Sequence, residues 1–199
     1  MTFQEKVSYI IGRDMATNLK KQGIEIEAAS FIQGLKDVLD GKQSSLTQAE
    51  VQETMMQLQQ QMSQKQGASG SENLKEGESF LAENKAKEGV QTLPSGLQYQ
   101  VLKEGNGKSP SQTDQVTTHY HGTLIDGTVF DSSYERNQPA TFPVNGVISG
   151  WTEALQLMKE GAKWRLFIPS DLAYGSQGAG DVIGPNAALI FDVELISVH

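Results

Sequence analysis

The chain has 199 residues, no cysteine and a formal charge of −8. That length suits one or two domains with a buried core, while the missing cysteine excludes disulfides, thiolate zinc sites and a thiol nucleophile. The acidic balance argues against nucleic acid as a partner, because phosphate neutralisation needs a basic surface.

The opening "MTFQEKVSYIIGRDM" is interrupted by charges and has no apolar core, so it does not read as a signal peptide. No window reaches the length of a membrane span, and membrane insertion is not expected. A cytoplasmic protein is expected, or a periplasmic one if a signal peptide has been removed.

Thr2 and Glu5 have the spacing of a capping box. Behind them Phe3, Val7, Ile10, Ile11, Met15 and Leu19 recur at helical spacing, and Gly23 is placed to end that helix. A second helix carries Ala28, Phe31, Ile32, Leu35, Val38 and Leu39 and stops at Gly41. Thr47 and Glu50 mark a third start, with Leu46 and Val51 placed as a hydrophobic staple and a stripe through Met55, Leu58 and Met62.

Beyond Met62 the segment "SQKQGASGSENLKEGESFLAENKAKEG" keeps helix formers but few apolar residues. It reads as a polar spacer helix with a bend or break at 67–71, or as a flexible linker. The stripes of the first helices are more than they can cover alone, and Gly12 and Gly34 would let two helices approach closely. Self-association through this half follows; the alternative is that these helices pack back onto the rest of the chain.

All six prolines and both tryptophans lie from Pro94 onward, where the hydrophobic period changes from helical to alternating. "LQYQVL", "QVTTHYHGTL", "TVFDSS", "ATFPV", "AKWRLFIP" and "AALIFDVELISV" read as strands, with a "DG" turn between the second and third. "WTEALQLM" reads as one short helix ended by Gly161. The expected class is α+β: a helical N-terminal part, then an antiparallel curved sheet round one short helix.

The stretch "YGSQGAGDVIGP" from Tyr174 to Pro185 holds four glycines. A phosphate-binding loop would need a following Lys and helix, but a strand follows and no Lys lies further on. The stretch therefore reads as a surface turn or as a loop rimming an apolar pocket. His119 and His121 share one strand face, but no third ligand stands at metal spacing, and they read as surface residues. Asp131 follows Phe130 and lies near Arg136, the spacing of an ion pair.

"VTTHYHGTLIDGTVFDSSYERNQPATF", "GVISGWTEALQLMKEGAKWRLFIPSDLAYG" and "GPNAALIFDVELI" resemble the FKBP family of peptidyl-prolyl isomerases. The N-terminal half, with "FLAENKAKEGVQTLPSGLQY" leading into the sheet, resembles the dimeric Mip-like bacterial subgroup. The resemblance implies a helical dimerisation domain over 1–62, a linker helix over 63–92 and an isomerase domain over 93–199. The isomerase domain would be a half-open antiparallel sheet of five or six strands wrapped round one helix.

By the same resemblance Trp151 is the pocket floor. Tyr120, Phe130 and Phe191 are aromatic walls, joined by Phe142, Val147, Ile148 and Ile183. The Ile148 N–H would hold a substrate carbonyl, the Tyr174 hydroxyl would donate at the rim, and Asp131 would be held by Tyr120 and Arg136. No cofactor or metal is implied. The implied partners are proline-containing unfolded chains, a second copy of the chain and macrolides such as rapamycin. Ala140, where the family often has an aromatic residue, and "GAGD", where it often has His-Pro-Gly, bear on substrate preference and inhibitor affinity. A rival reading is a holdase chaperone with minor isomerase activity.

Overall fold

The computed structural model describes residues 1–199. They form two compact units, Met1–Lys65 and Gln66–His199.

The first unit is helical. α1 (Phe3–Lys21) begins on a complete Thr2/Glu5 capping box. It ends in a Schellman turn: Gly23 takes φ 71°, the Gly23 N–H bonds Lys20 O and the Ile24 N–H bonds Leu19 O. α2 (Ala28–Leu39) closes in the same way, through Gly41 on Val38 and Lys42 on Asp37. Its start rests on Glu27, whose carboxylate accepts from the Ala29 and Ser30 N–H groups and is thereby held below its ordinary pKa. α3 (Gln48–Asn84) starts on the Thr47/Glu50 box. Neither α1 nor α2 buries a single residue. Phe3 is 82% exposed and Val38 76%, and a side chain added at Gly12 or Gly34 would meet nothing.

α3 has no break at 67–71: it runs as one helix through these residues. Its C-terminal half belongs to the second unit and is built into it. Gly70, Gly77 and Asn84 are buried there. Asn84 Nδ2 donates to Gln98 Oε1 at 3.0 Å, and Gln98 Nε2 donates to Leu81 O at 2.8 Å. The segment looked like a spacer because it makes these contacts with small and amide side chains instead of an apolar stripe.

The second unit is one antiparallel sheet of seven strands: β1 (Val90–Thr92), β2 (Gln98–Lys103), β3 (Gln115–Leu124), β4 (Val129–Ser132), β5 (Ala140–Pro143), β6 (Lys163–Ile168) and β7 (Leu189–Val198). The order is β1-β2-β6-β7-β3-β4, with β5 also on β3. The count exceeds the expected five or six for two reasons. The three-residue β1 pairs with β2 at the edge, and β3 takes two partners along its length, β5 at Gln115–Thr118 and β4 at His121–Thr123. α4 (Ser149–Leu157) buries Trp151, Ala154 and Leu155 in one core with Leu166, Ile168, Phe191, Val193 and Leu195. It ends at Leu157, because Met158 leaves the helix with ψ 151°; Gly161, expected as its stop, shapes the following turn at φ 89°. Alternation puts Phe167 on the face away from Leu166 and Ile168, where its ring meets Phe80 of α3 at 5.9 Å.

Candidate active site

A cavity of about 710 Å³ opens between β3, β4, β7, the start of α4 and the glycine-rich loop. That volume is in the range of small-ligand pockets. Its floor is Trp151, 4% exposed and set edge-on to three rings: Tyr120 at 5.4 Å, Phe142 at 5.5 Å and Phe191 at 5.1 Å. Phe130 completes the wall by an edge contact to Phe191 at 5.3 Å. Edge-to-face aromatic pairs are worth about 0.5–1.5 kcal/mol beyond their buried area, so four of them make a stiff lining. The Trp151 Nε1–H is buried among these rings without an acceptor.

Ten of the eleven residues singled out in the sequence line this one cavity: Tyr120, Phe130, Asp131, Phe142, Val147, Ile148, Trp151, Tyr174, Ile183 and Phe191. The eleventh, Arg136, stands outside the lining. Its guanidinium lies 5.6 Å from the Tyr120 ring centroid, bonds the Tyr120 hydroxyl at 2.7 Å and pairs with Asp131 through Nη1 and Oδ1. The Tyr120 hydroxyl donates to Asp131 Oδ2 at 2.6 Å. Partial burial pushes the Asp131 carboxyl upward, but the Tyr120 and Arg136 hydrogen bonds outweigh it and hold the pKa below the ordinary value. Tyr120 is pushed up by burial and by its bond to Asp131. Asp131 is thus an ionised acceptor with both oxygens engaged, which leaves it poorly suited to taking a proton.

Ile148 is the residue before α4, with φ −58° and ψ 150°. Its carbonyl accepts from Trp151 and Thr152, while its N–H has no partner among the turn and loop hydrogen bonds. The glycine-rich loop folds over the cavity as a small hairpin. Ala179 and Ile183 exchange both backbone bonds, at 2.9 and 3.2 Å, and the Asn186 N–H reaches back to Gly175 O at 2.8 Å. Tyr174 stands at one end, 39% exposed, and Ile183 at the other, buried.

Ala179, Gly180, Asp181 and Val182 of this hairpin also line the cavity, so the "GAGD" segment faces it directly; Ala140 does not. His119 belongs elsewhere: Nδ1 bonds Ser133 Oγ at 2.9 Å and the ring stacks on Tyr134 at 4.7 Å.

Gly122 is a residue the sequence reading passed over. It pairs with Asp131 on β4 and with Phe191 on β7. A Cβ there would lie 2.6–2.7 Å from Phe130 Cε2 and Cζ and from Phe191 Cε1. Only glycine leaves room for two pocket rings to converge over β3. The signal was present in the sequence as a lone glycine inside an alternating strand.

Family models give these features a context. The FKBP-type peptidyl-prolyl cis-trans isomerase model matches residues 106–196, and the model of the domain amino terminal to that isomerase matches 4–101. The chain is 49% identical over 201 residues to the probable FKBP-type peptidyl-prolyl cis-trans isomerase FkpA of Neisseria meningitidis serogroup B, covering 98% of this chain and 74% of that protein.

The chain belongs to the FKBP-type peptidyl-prolyl cis-trans isomerases.

It is also similar to the outer membrane protein MIP of Legionella longbeachae, at 46% identity over 99% of this chain and 86% of that one. Among solved structures it resembles FkpA from Escherichia coli, with a TM-score of 0.71 and 37% identity over 99% of this chain and 97% of that chain. Both halves of this FKBP-type isomerase therefore have relatives joined in the same order.

Proposed function

We propose that this enzyme speeds X–Pro rotation in folding proteins by enclosing the bond in the Trp151 cavity, without proton transfer or covalent chemistry. The observation that carries the reading is a cluster of edge-packed aromatics round Trp151 beside a carboxylate already locked by Tyr120 and Arg136. Rotation about an amide meets a barrier of about 18–20 kcal/mol, because twisting breaks resonance. The planar amide carries more charge on oxygen than the twisted one, and water stabilises that charge. An apolar enclosure withdraws the stabilisation from the planar state. In the reading proposed here, the prolyl ring rests on Trp151, the Ile148 N–H holds a carbonyl and the Tyr174 hydroxyl donates at the rim. Contacts made better in the twisted geometry lower the barrier. Macrolides such as rapamycin would occupy the same enclosure and compete.

Phe130→Ala tests this. It should lower kcat/KM on a short X–Pro peptide by about tenfold or more, that is about 1.4 kcal/mol of transition-state stabilisation. Unchanged activity would move the site elsewhere.

A second reading, chaperone-like gripping of unfolded chains by a homodimer, is favoured by the uncovered apolar faces of α1 and α2. A dimer formed there presents two isomerase pockets to one client, and linked weak sites gain effective concentration on a long chain. No helix is long and apolar enough to cross a membrane. The cytoplasmic expectation finds no support among the relatives, one of which is named an outer membrane protein. We favour the alternative, a place outside the cytoplasm; cell fractionation decides it.

A further inference from the structure

The hairpin over the cavity does not end on the sheet; its base is laid across α3. Asn73 Nδ2 donates to Pro185 O at 2.9 Å, and Asn186 Nδ2 donates to Gly70 O at 3.2 Å, so each element gives the other one hydrogen bond. The approach is close. A Cβ at Gly70 would stand 3.2 Å from Pro185 Cβ, one at Gly77 3.1 Å from Ala188 Cβ, and one at Gly184 2.8 Å from Asn73 Nδ2.

Gly70, Asn73 and Gly77 lie three and seven residues apart on one helix face, a groove one side chain wide. Two small clefts, of about 280 and 230 Å³, flank the crossing, so the loop touches the helix along a narrow strip. The two amide bonds are the polar attachments across this strip.

Asn186 ties both ends together. It sits in the left-handed region at φ 57°, and its backbone N–H closes the loop on Gly175 while its side chain holds α3. One residue thus joins the start of the hairpin, its end and the helix. Ala179, Val182 and Ile183, the part that lines the cavity, lie between the points so fixed.

We infer that Asn73 and Asn186 are positioning residues for this hairpin: their two bonds tie it to α3, so the helix sets how the hairpin closes over the cavity. Neither residue touches the space where substrate would sit. The effect on isomerisation rests on the reading of the cavity given above, whereas the tie itself does not.

The test uses the full chain with Asn73→Ala and, separately, Asn186→Asp. Alanine is the better helix former, so the first leaves α3 intact. Aspartate tolerates the left-handed backbone but cannot donate, so the second keeps the turn. Amide hydrogen exchange is read at Ala179 and Ile183, with Leu166 and Val193 as sheet controls. Loss of either bond should speed exchange at the two hairpin amides by about tenfold while the sheet amides stay as in the wild type. KM for a short X–Pro peptide should rise about threefold or more in both variants.

Hairpin exchange unchanged in either variant, or hairpin and sheet exchange accelerated together, overturns the tie. Faster hairpin exchange with KM unchanged overturns the positioning role. If Phe130→Ala were silent, the pocket assignment would fall, and the exchange comparison would still decide whether α3 holds the hairpin.

Discussion

Gly122→Ala is a one-carbon substitution that reaches the pocket without replacing a residue named for chemistry. The added Cβ would stand 2.6–2.7 Å from two ring atoms of Phe130 and one of Phe191. Carbon atoms rest at about 3.5–4.0 Å, so the overlap is about 1 Å against both rings. Phe191 is 4% exposed and wedged on Trp151, so it cannot give way; Phe130 is only half-buried and must move.

Overpacking of this kind costs about 1–3 kcal/mol. At about 2–4 °C per kcal/mol for a chain of this size, Tm should fall by about 2–12 °C. Misplacement of a pocket wall by about 1 Å should lower kcat/KM by about tenfold to a hundredfold. Thermal unfolding and a short-peptide isomerisation assay read the two effects. The double variant Gly122→Ala with Phe130→Leu separates them: stability should return in part, because the Phe130 clash is gone while the Phe191 contact stays, and activity should not. A Gly122→Ala chain that melts and turns over like wild type would refute the argument that convergence of these rings depends on a bare backbone at this point.

Three other outcomes follow from the same geometry. The pH–rate profile should be flat from about pH 6 to 8, and Asp131→Asn should cost less activity than Phe130→Ala; a bell-shaped profile that disappears in Asp131→Asn would indicate acid–base chemistry. The Asp131 carboxyl is depressed in the fold, so its pairing stabilises the chain above the unfolded pKa of about 3.9 and is lost as pH falls through the lower folded value; acid unfolding curves of wild type and Asp131→Asn should therefore converge at the acid end. Light scattering should give a dimer mass for the full chain and a monomer for residues 66–199, and the shorter form should keep peptide activity yet refold a proline-limited protein more slowly; a full-length monomer at micromolar concentration sinks the first expectation, and equal refolding rates sink the second. The cut is placed at 66 because a start at 90 would strip Phe80 from Phe167 and Asn84 from Gln98.

Much of the fold was legible because local chemistry and global structure agree. Both capping boxes, both glycine stops and the 115–124 strand stand where their residues put them. Such features depend on neighbours within four residues, which a sequence displays directly. β1 was not legible: three residues, "VQT", carry no usable alternation and gain their strand geometry only from pairing with β2. The stop of α4 was misread for a related reason. Met158 is wholly buried, and the demands of the core draw it out of the helix three residues before the glycine that looked like the terminator.

Legibility of the candidate site divides in the same way. The aromatic lining was readable through family resemblance, since large rings beside turns are conspicuous. What the sequence hid were contacts made by absence of a side chain. Gly122 admits two rings, and Gly70 and Gly77 admit a loop and a strand end, yet locally each is only a glycine inside its element. A glycine inside a helix costs about 1 kcal/mol relative to alanine, so the glycines and serines of 67–71 argued for a bend or break if the helix stood alone. Packed against Pro185 and Ala188, Gly70 and Gly77 give the close approach that lets Asn73 and Asn186 reach their carbonyl partners. The composition that made residues 63–89 read as a spacer is therefore what a helix needs to hold a hairpin through amides along a narrow strip, and part of the pocket's architecture lies more than a hundred residues before the hairpin it secures.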